Sequence, residues 1–154
     1  MGDAVIASGS GPVGPVESAG RNPIRLDAIV KAYDIRGLVG SQLTSDAARA
    51  IGFAFGGFVA DRSPAVVIAY DMRDSSPELA GAFAEGVTGA GLDVVMAGLA
   101  STDLLYFASG SLQLPGAMFT ASHNPARYNG IKMCLAGAVP ISLDTGLALS
   151  LIHI

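Results

Sequence analysis

Residues able to do chemistry are densest between Thr120 and Lys132, where the chain reads Thr-Ala-Ser-His-Asn-Pro-Ala-Arg-Tyr-Asn-Gly-Ile-Lys. Ser122 supplies a hydroxyl, His123 a titratable imidazole, and Lys132 a cation ten residues beyond the serine. Asn129-Gly130 suits a positive-φ turn that would fold Lys132 back toward Ser122. A serine with cationic and amide donors nearby suits phosphoryl transfer, where stabilising a highly charged oxygen cluster is most of the catalysis. Serine hydrolysis is a weaker reading, because the G-x-S-x-G elbow is absent and no carboxylate is placed to orient His123. Ser-His-Asn-Pro is also an acceptable turn, with Ser and Asn bonding local backbone and Pro fixing φ. Lys132 equally suits a solvated charge at a sheet edge.

Two further clusters carry charge at the ends of apolar runs. In Tyr33-Asp34-Ile35-Arg36-Gly37, Arg36 can present a bidentate fork to a phosphate, or simply pair with Asp34 within a turn. Asp71-Met72-Arg73-Asp74-Ser75-Ser76-Pro77 lies between a strand-like run and a helix start, where hydroxyls and amides can meet an anion. Helix capping with a local Asp–Arg pair is the simpler account of that cluster. Gly9 to Gly14 satisfies G-x-G-x-x-G, but Pro12, Pro15 and Gly20 prevent the helix that a dinucleotide fingerprint needs. Cys134 reads as a small buried hydrophobe, and His153 has no partner in the sequence.

The elements that must position these groups alternate. Residues Ile29–Arg36 read as a strand that turns at Gly37. A helix capped by Thr44 or Ser45 runs to about Ala60, with Asp46 in its first turn and Ala47, Ile51, Phe55 and Phe58 on one face. Ala65–Tyr70 is a continuous apolar run suited to a strand buried on both faces. Ser75 and Glu78 have capping-box spacing, and the helix they open buries Leu79, Phe83 and Val87. Leu92–Met96 is a strand, Thr102–Ser109 a short helix, Gly116–Thr120 a third core strand, Ile131–Leu135 another, and Val139–Ile141 an edge strand. The loop from Ala121 to Asn129 thus leaves the end of a core strand, where open α/β sheets place their ligands.

Composition narrows the function classes. The chain has 154 residues, 51% of them hydrophobic and only 14% charged, against an ordinary charged share of about 25%. That is ample apolar surface for one folded domain. A net charge of −4 opposes nucleic-acid binding and a polybasic membrane anchor. The longest uncharged stretch, Leu104–Ala126, contains Pro115, Gly116 and Pro125, which argues against a spanning helix. No signal peptide is legible at the N-terminus, and a single cysteine makes a cytoplasmic setting the default expectation.

Taken together, Lys31-Ala32-Tyr33-Asp34-Ile35-Arg36-Gly37, Asp71-Met72-Arg73 with Ser75-Ser76-Pro77, Thr120–Pro125 and Tyr128–Lys132 resemble, in content and order, the first domain of the α-D-phosphohexomutases, in their phosphomannomutase/phosphoglucomutase branch. The resemblance implies a three-layer αβα domain with a mixed, mostly parallel sheet. Residues 1–22, rich in Gly, Pro and Ser with no apolar period, read as a disordered leader; the resemblance covers the domain (23–148) and leaves an atypical tail that looks like a truncation point (149–154). It implies an isomerase, an intramolecular phosphotransferase of carbohydrate metabolism that interconverts hexose 6-phosphate and hexose 1-phosphate through a bisphosphorylated sugar. Ser122 would carry the phosphoryl group, and its phosphate would be one ligand of Mg²⁺. Lys132 and Arg36 would serve the acid/base step or stabilise charge, while His123, Asn124 and Tyr33 would line the reacting end. A hexose 1,6-bisphosphate would act as activator. The family's acidic metal loop, sugar-selecting loop and distal phosphate-binding domain have no counterpart in these residues. The expected partners are therefore a phosphosugar and the remaining domains of the same protein, and the 154-residue chain alone is expected to be inactive. A stand-alone domain without catalytic competence and with a binding role is the alternative.

Overall fold

The computed structural model describes residues 24–142 and Asp144; the expected leader, the Gly9–Gly14 motif, the 149–154 tail and His153 lie outside them. In chain order the elements are α1 (Leu26–Ile29), β1 (Ile35–Leu38), α2 (Ser45–Val59), β2 (Ala65–Tyr70), α3 (Ser76–Gly89), β3 (Asp93–Leu99), α4 (Thr102–Leu112), β4 (Gly116–Phe119), β5 (Tyr128–Leu135) and β6 (Val139–Pro140). They form one mixed sheet in the order β1-β5-β4-β2-β3, with β6 on the far end of β5. Parallel pairing joins β3, β2 and β4, which helical crossovers connect. β5 is antiparallel to β1, β4 and β6, because the short connection from β4 cannot carry the chain back for a parallel strand.

β2 behaves as its sequence requires, buried through Ala69 with alternate residues serving opposite faces. Val66 and Ile68 pack with Ala117, Phe119 and Ile131 under α2 and α3, whereas Val67, Ala69 and Met118 meet Leu105 of α4. Three aromatic rings tie the larger core together: Phe55, Phe83 and Phe119 sit with successive centroids 6.0 and 5.4 Å apart. Gly52 and Gly86 let α2 and α3 touch backbone to backbone, since a Cβ on either would strike a carbonyl oxygen of the facing helix. Thr44 caps α2 by accepting from the Ala47 amide at 3.1 Å, and Ser101 caps α4 in the same way.

Three local expectations are corrected. The strand expected over Ile29–Arg36 is shorter and later: residues 26–29 make a single helical turn, and β1 runs through Gly37 to Leu38. Leu26 and Ile29 lie three apart and turn toward the core together, which favours the helical turn there. The Ser75–Glu78 capping box does not form. Ser75 has a helical backbone (φ −80°, ψ −15°), which withdraws its hydroxyl from the capping position, and Glu78 accepts from Ser45 instead. Finally, Asn129-Gly130 is strand within β5, not a turn.

Cys134 is fully buried with its sulfur 3.4 Å from Ser109 Oγ. Burial pushes its thiol pKa up, opposed in part by hydrogen bonding to Ser109 and to the Gly116 backbone. It is a packing residue. Among the described residues, no helix is long and apolar enough to cross a membrane.

Candidate active site

The loop after β4 is built outward from its backbone. Ser122 has φ +53°, a left-handed conformation that costs a non-glycine residue roughly 1–2 kcal/mol. The Ser122 amide donates to Thr120 Oγ1 at 3.1 Å, and the Asn124 amide closes a turn onto Ala121 O at 3.0 Å. Asn124 Nδ2 reinforces that turn with a 2.8 Å bond to the same carbonyl oxygen. The turn expected of Ser-His-Asn-Pro is therefore real, but the serine hydroxyl takes no part in it. Ser122 and His123 are exposed, and neither side chain makes a hydrogen bond among the described residues.

Strand register, not a turn, sets the positions of the two cations. Arg36 on β1 lies opposite Gly130 on β5, and Lys132, two residues along, lies opposite Met118 on β4. Residues 130 and 132 share a face, so Arg36 and Lys132 occupy the same side of the sheet, away from Ile35 and Ile131 in the larger core. Thr120 continues the ladder, its amide donating a hydrogen bond to Gly130 O at 3.0 Å. Gly130 is required at this junction: a Cβ there would sit 2.5 Å from Ile35 O and 2.8 Å from Thr120 O. The Lys132 side chain makes no ion pair or hydrogen bond among the described residues. Arg36 pairs with Asp34 through Nη2, while its buried Nε has no partner. Tyr33, next to this pair, is 75% exposed.

The residue that sequence reasoning undervalued is Arg73. The expected Asp71–Arg73 pair exists, with Nε 3.3 Å from Asp71 Oδ2. The same guanidinium also reaches across to the Ser122 loop and binds four of its carbonyl oxygens. Asn129, expected in a turn, is completely buried and donates from Nδ2 to Ser75 Oγ and Ser76 Oγ, both at 2.9 Å. Ser76 in turn donates to Asp71 Oδ1 at 2.6 Å. These partners lie about fifty positions apart in the chain, so no local pattern could reveal them.

Among the described residues, no three His, Cys, Asp or Glu side chains gather into a metal-holding group. Asp34 and Asp71, the carboxylates beside the site, are each engaged by an arginine. These residues do not fit a Mg²⁺ site on their own: Mg²⁺ keeps several waters but is usually held by one or two carboxylates beside phosphate oxygens, and both carboxylates here are paired with arginine.

The α/β/α domain thus presents an exposed serine at a strand end, with two cations on the adjoining face. The family model of phosphoglucomutase/phosphomannomutase, alpha/beta/alpha domain I, matches residues 27–150, and the chain belongs to that family. It is 46% identical over 118 residues to a phosphomannomutase of Escherichia coli, covering 76% of this chain and 26% of that protein. A phosphomannomutase sequence from Klebsiella pneumoniae is also 46% identical, with 74% of it covered. A crystal structure of a phosphoglucomutase/phosphomannomutase family protein from Burkholderia thailandensis superposes with a TM-score of 0.73 at 43% identity, over 82% of this chain and 30% of that one. The chain thus spans about a quarter of the length of the Escherichia coli relative.

Proposed function

We propose that this chain is the active-site domain of a phosphohexomutase that interconverts hexose 6-phosphate and hexose 1-phosphate, with mannose or glucose as the sugar and Ser122 as the phosphoryl carrier. The observation that carries the reading is the Ser122 hydroxyl: exposed, unpartnered and held at φ +53° at the end of β4. In the proposed step the phosphoserine P–O bond breaks as a sugar hydroxyl oxygen bonds to phosphorus, and the hydroxyl proton leaves to a base. The serine is rephosphorylated from the other end of the reoriented bisphosphate. Lys132 and Arg36, on one face beside the loop, stabilise the charge on the transferring group or handle that proton. His123, Asn124 and Tyr33 line the reacting end. Mg²⁺ and an activating hexose 1,6-bisphosphate belong to the proposal, with the remaining metal ligands supplied from outside this chain. The relatives are longer, and the rest of the polypeptide is the proposed partner of this domain.

The test is an assay of the complete polypeptide carrying this domain, with Mg²⁺ and the bisphosphate, together with intact-mass detection of phosphoryl on Ser122. Wild type should turn over and Ser122→Ala should lose both turnover and the phosphoryl mass. Turnover retained by Ser122→Ala would refute the assigned carrier, and no turnover by wild type would leave the binding-domain alternative as the better account.

A further inference from the structure

Arg73 has five N–H donors; its four Nη donors bond carbonyl oxygens of the Ser122 segment, and its Nε is ion-paired with Asp71. Nη1 donates to Pro125 O at 3.0 Å and Tyr128 O at 3.1 Å, Nη2 to Ser122 O at 3.0 Å and Asn124 O at 2.7 Å, and Nε faces Asp71 Oδ2 at 3.3 Å. The Nη fork, the part of a guanidinium that grips a phosphate, is fully taken by the loop. The guanidinium is itself fixed, because Asp71 Oδ1 accepts from the Arg73 amide at 3.0 Å and from Ser76 Oγ at 2.6 Å. Its side chain is only 13% exposed, so these bonds form in a partly desolvated setting where charge-assisted contacts are strong.

The clamp has a directional consequence. In a trans peptide the C=O and the following N–H point in opposite directions. Drawing the Ser122 and Pro125 carbonyls onto Arg73 therefore turns the His123 and Ala126 amides away from it. Neither amide has an acceptor among the described residues. The loop then presents the Ser122 hydroxyl together with outward backbone donors, an arrangement suited to the oxygens of a phosphoryl group.

We propose that Arg73 is a positioning residue rather than a phosphate ligand: it holds the loop by its carbonyl oxygens so that Ser122 keeps its left-handed backbone and faces the incoming phosphosugar. The role rests on the mutase reading of Ser122; the clamp itself does not. Lysine at this position keeps the charge but has one nitrogen with three donors, too few and too close together to span four carbonyls.

The experiment compares wild type, Arg73→Lys and Arg73→Ala in the complete polypeptide that carries this domain. Hydrogen exchange across residues 121–128 should become faster in both variants while β2 and β4 stay protected; unchanged exchange in the loop overturns the clamp whether or not the protein is a mutase. In steady-state assays Arg73→Lys should lower kcat by about 10- to 100-fold and leave KM for the phosphosugar near wild type, as expected when a reacting group is misplaced. Added guanidinium ion, but not ammonium, should restore part of the turnover of Arg73→Ala. A raised KM with unchanged kcat would make Arg73 a phosphate ligand and overturn the proposal. Absence of turnover in wild type would remove the mutase reading, while the exchange data would still decide the clamp.

Discussion

The loop after β2, residues 71–75, and the loop after β4, residues 120–127, leave neighbouring parallel strands at the same edge of the sheet, and they dispose their polar groups in opposite ways. In the first, Asp71, Arg73 and Ser75 are committed to hydrogen bonds with groups of the fold. In the second, the side chains of Ser122 and His123 are exposed and uncommitted. The second loop nevertheless has the stranger backbone, with Ser122 at φ +53°. Thr120 and Asn124 brace it from within, and the rest of its order is imported: Arg73 holds it from one side, and Asn129, anchored on Ser75 and Ser76, holds the start of β5 on the other. A loop that must keep its reactive groups free cannot use them to hold itself, so a neighbouring loop supplies the contacts.

Breaking the supporting loop should therefore cost stability, and the largest effect is expected at Asp71. Its carboxylate, 13% exposed, accepts from the Arg73 amide and Ser76 and faces the Arg73 guanidinium. Asp71→Ala leaves a part-buried guanidinium without its counter-charge, and should destabilise the domain by about 2 to 4 kcal/mol. Urea unfolding followed by circular dichroism measures this directly. A loss below about 1 kcal/mol would mean that the four carbonyl oxygens hold Arg73 unaided, and the division of labour between the loops would be wrong.

Much of the fold was legible because its signals are local. The β-branched run of β2, the Thr44 cap and the Ala47–Ile51–Phe55 stripe of α2 each announce their element within a few residues, and each is present. The strand expected from Ile29 starts only at Ile35, because Ile29 closes the helical turn begun at Leu26 and packs into the core there. The site divides the same way. Ser122 stood out by its neighbours in sequence, whereas Arg73 and Asn129 act on partners 49 to 55 positions away, and a turn-like dipeptide hid a strand. Asn129-Gly130 carries strong turn chemistry, but here the amide side chain is buried against α3 and the glycine makes room for two carbonyl oxygens. Exposed apolar groups gather on edge strand β3 and on α4, among them Leu99 and Phe107.

The contrast sharpens at the presented loop, where substitutions should change function without cost to the fold. Ser122→Gly removes the left-handed strain at the price of a more flexible unfolded chain, and should be more stable than Ser122→Ala by about 0.5 to 1 kcal/mol. Both should fail to take up phosphoryl. If the two unfold at the same urea concentration, the positive φ is not a feature of the loop in solution. The smallest effect is expected at His123, which is exposed and has no side-chain partner among the described residues. His123→Ala should leave unfolding within about 0.5 kcal/mol of wild type. A larger loss would reveal a contact that fixes the imidazole, and the loop would then be holding itself with one of the groups it was thought to keep free.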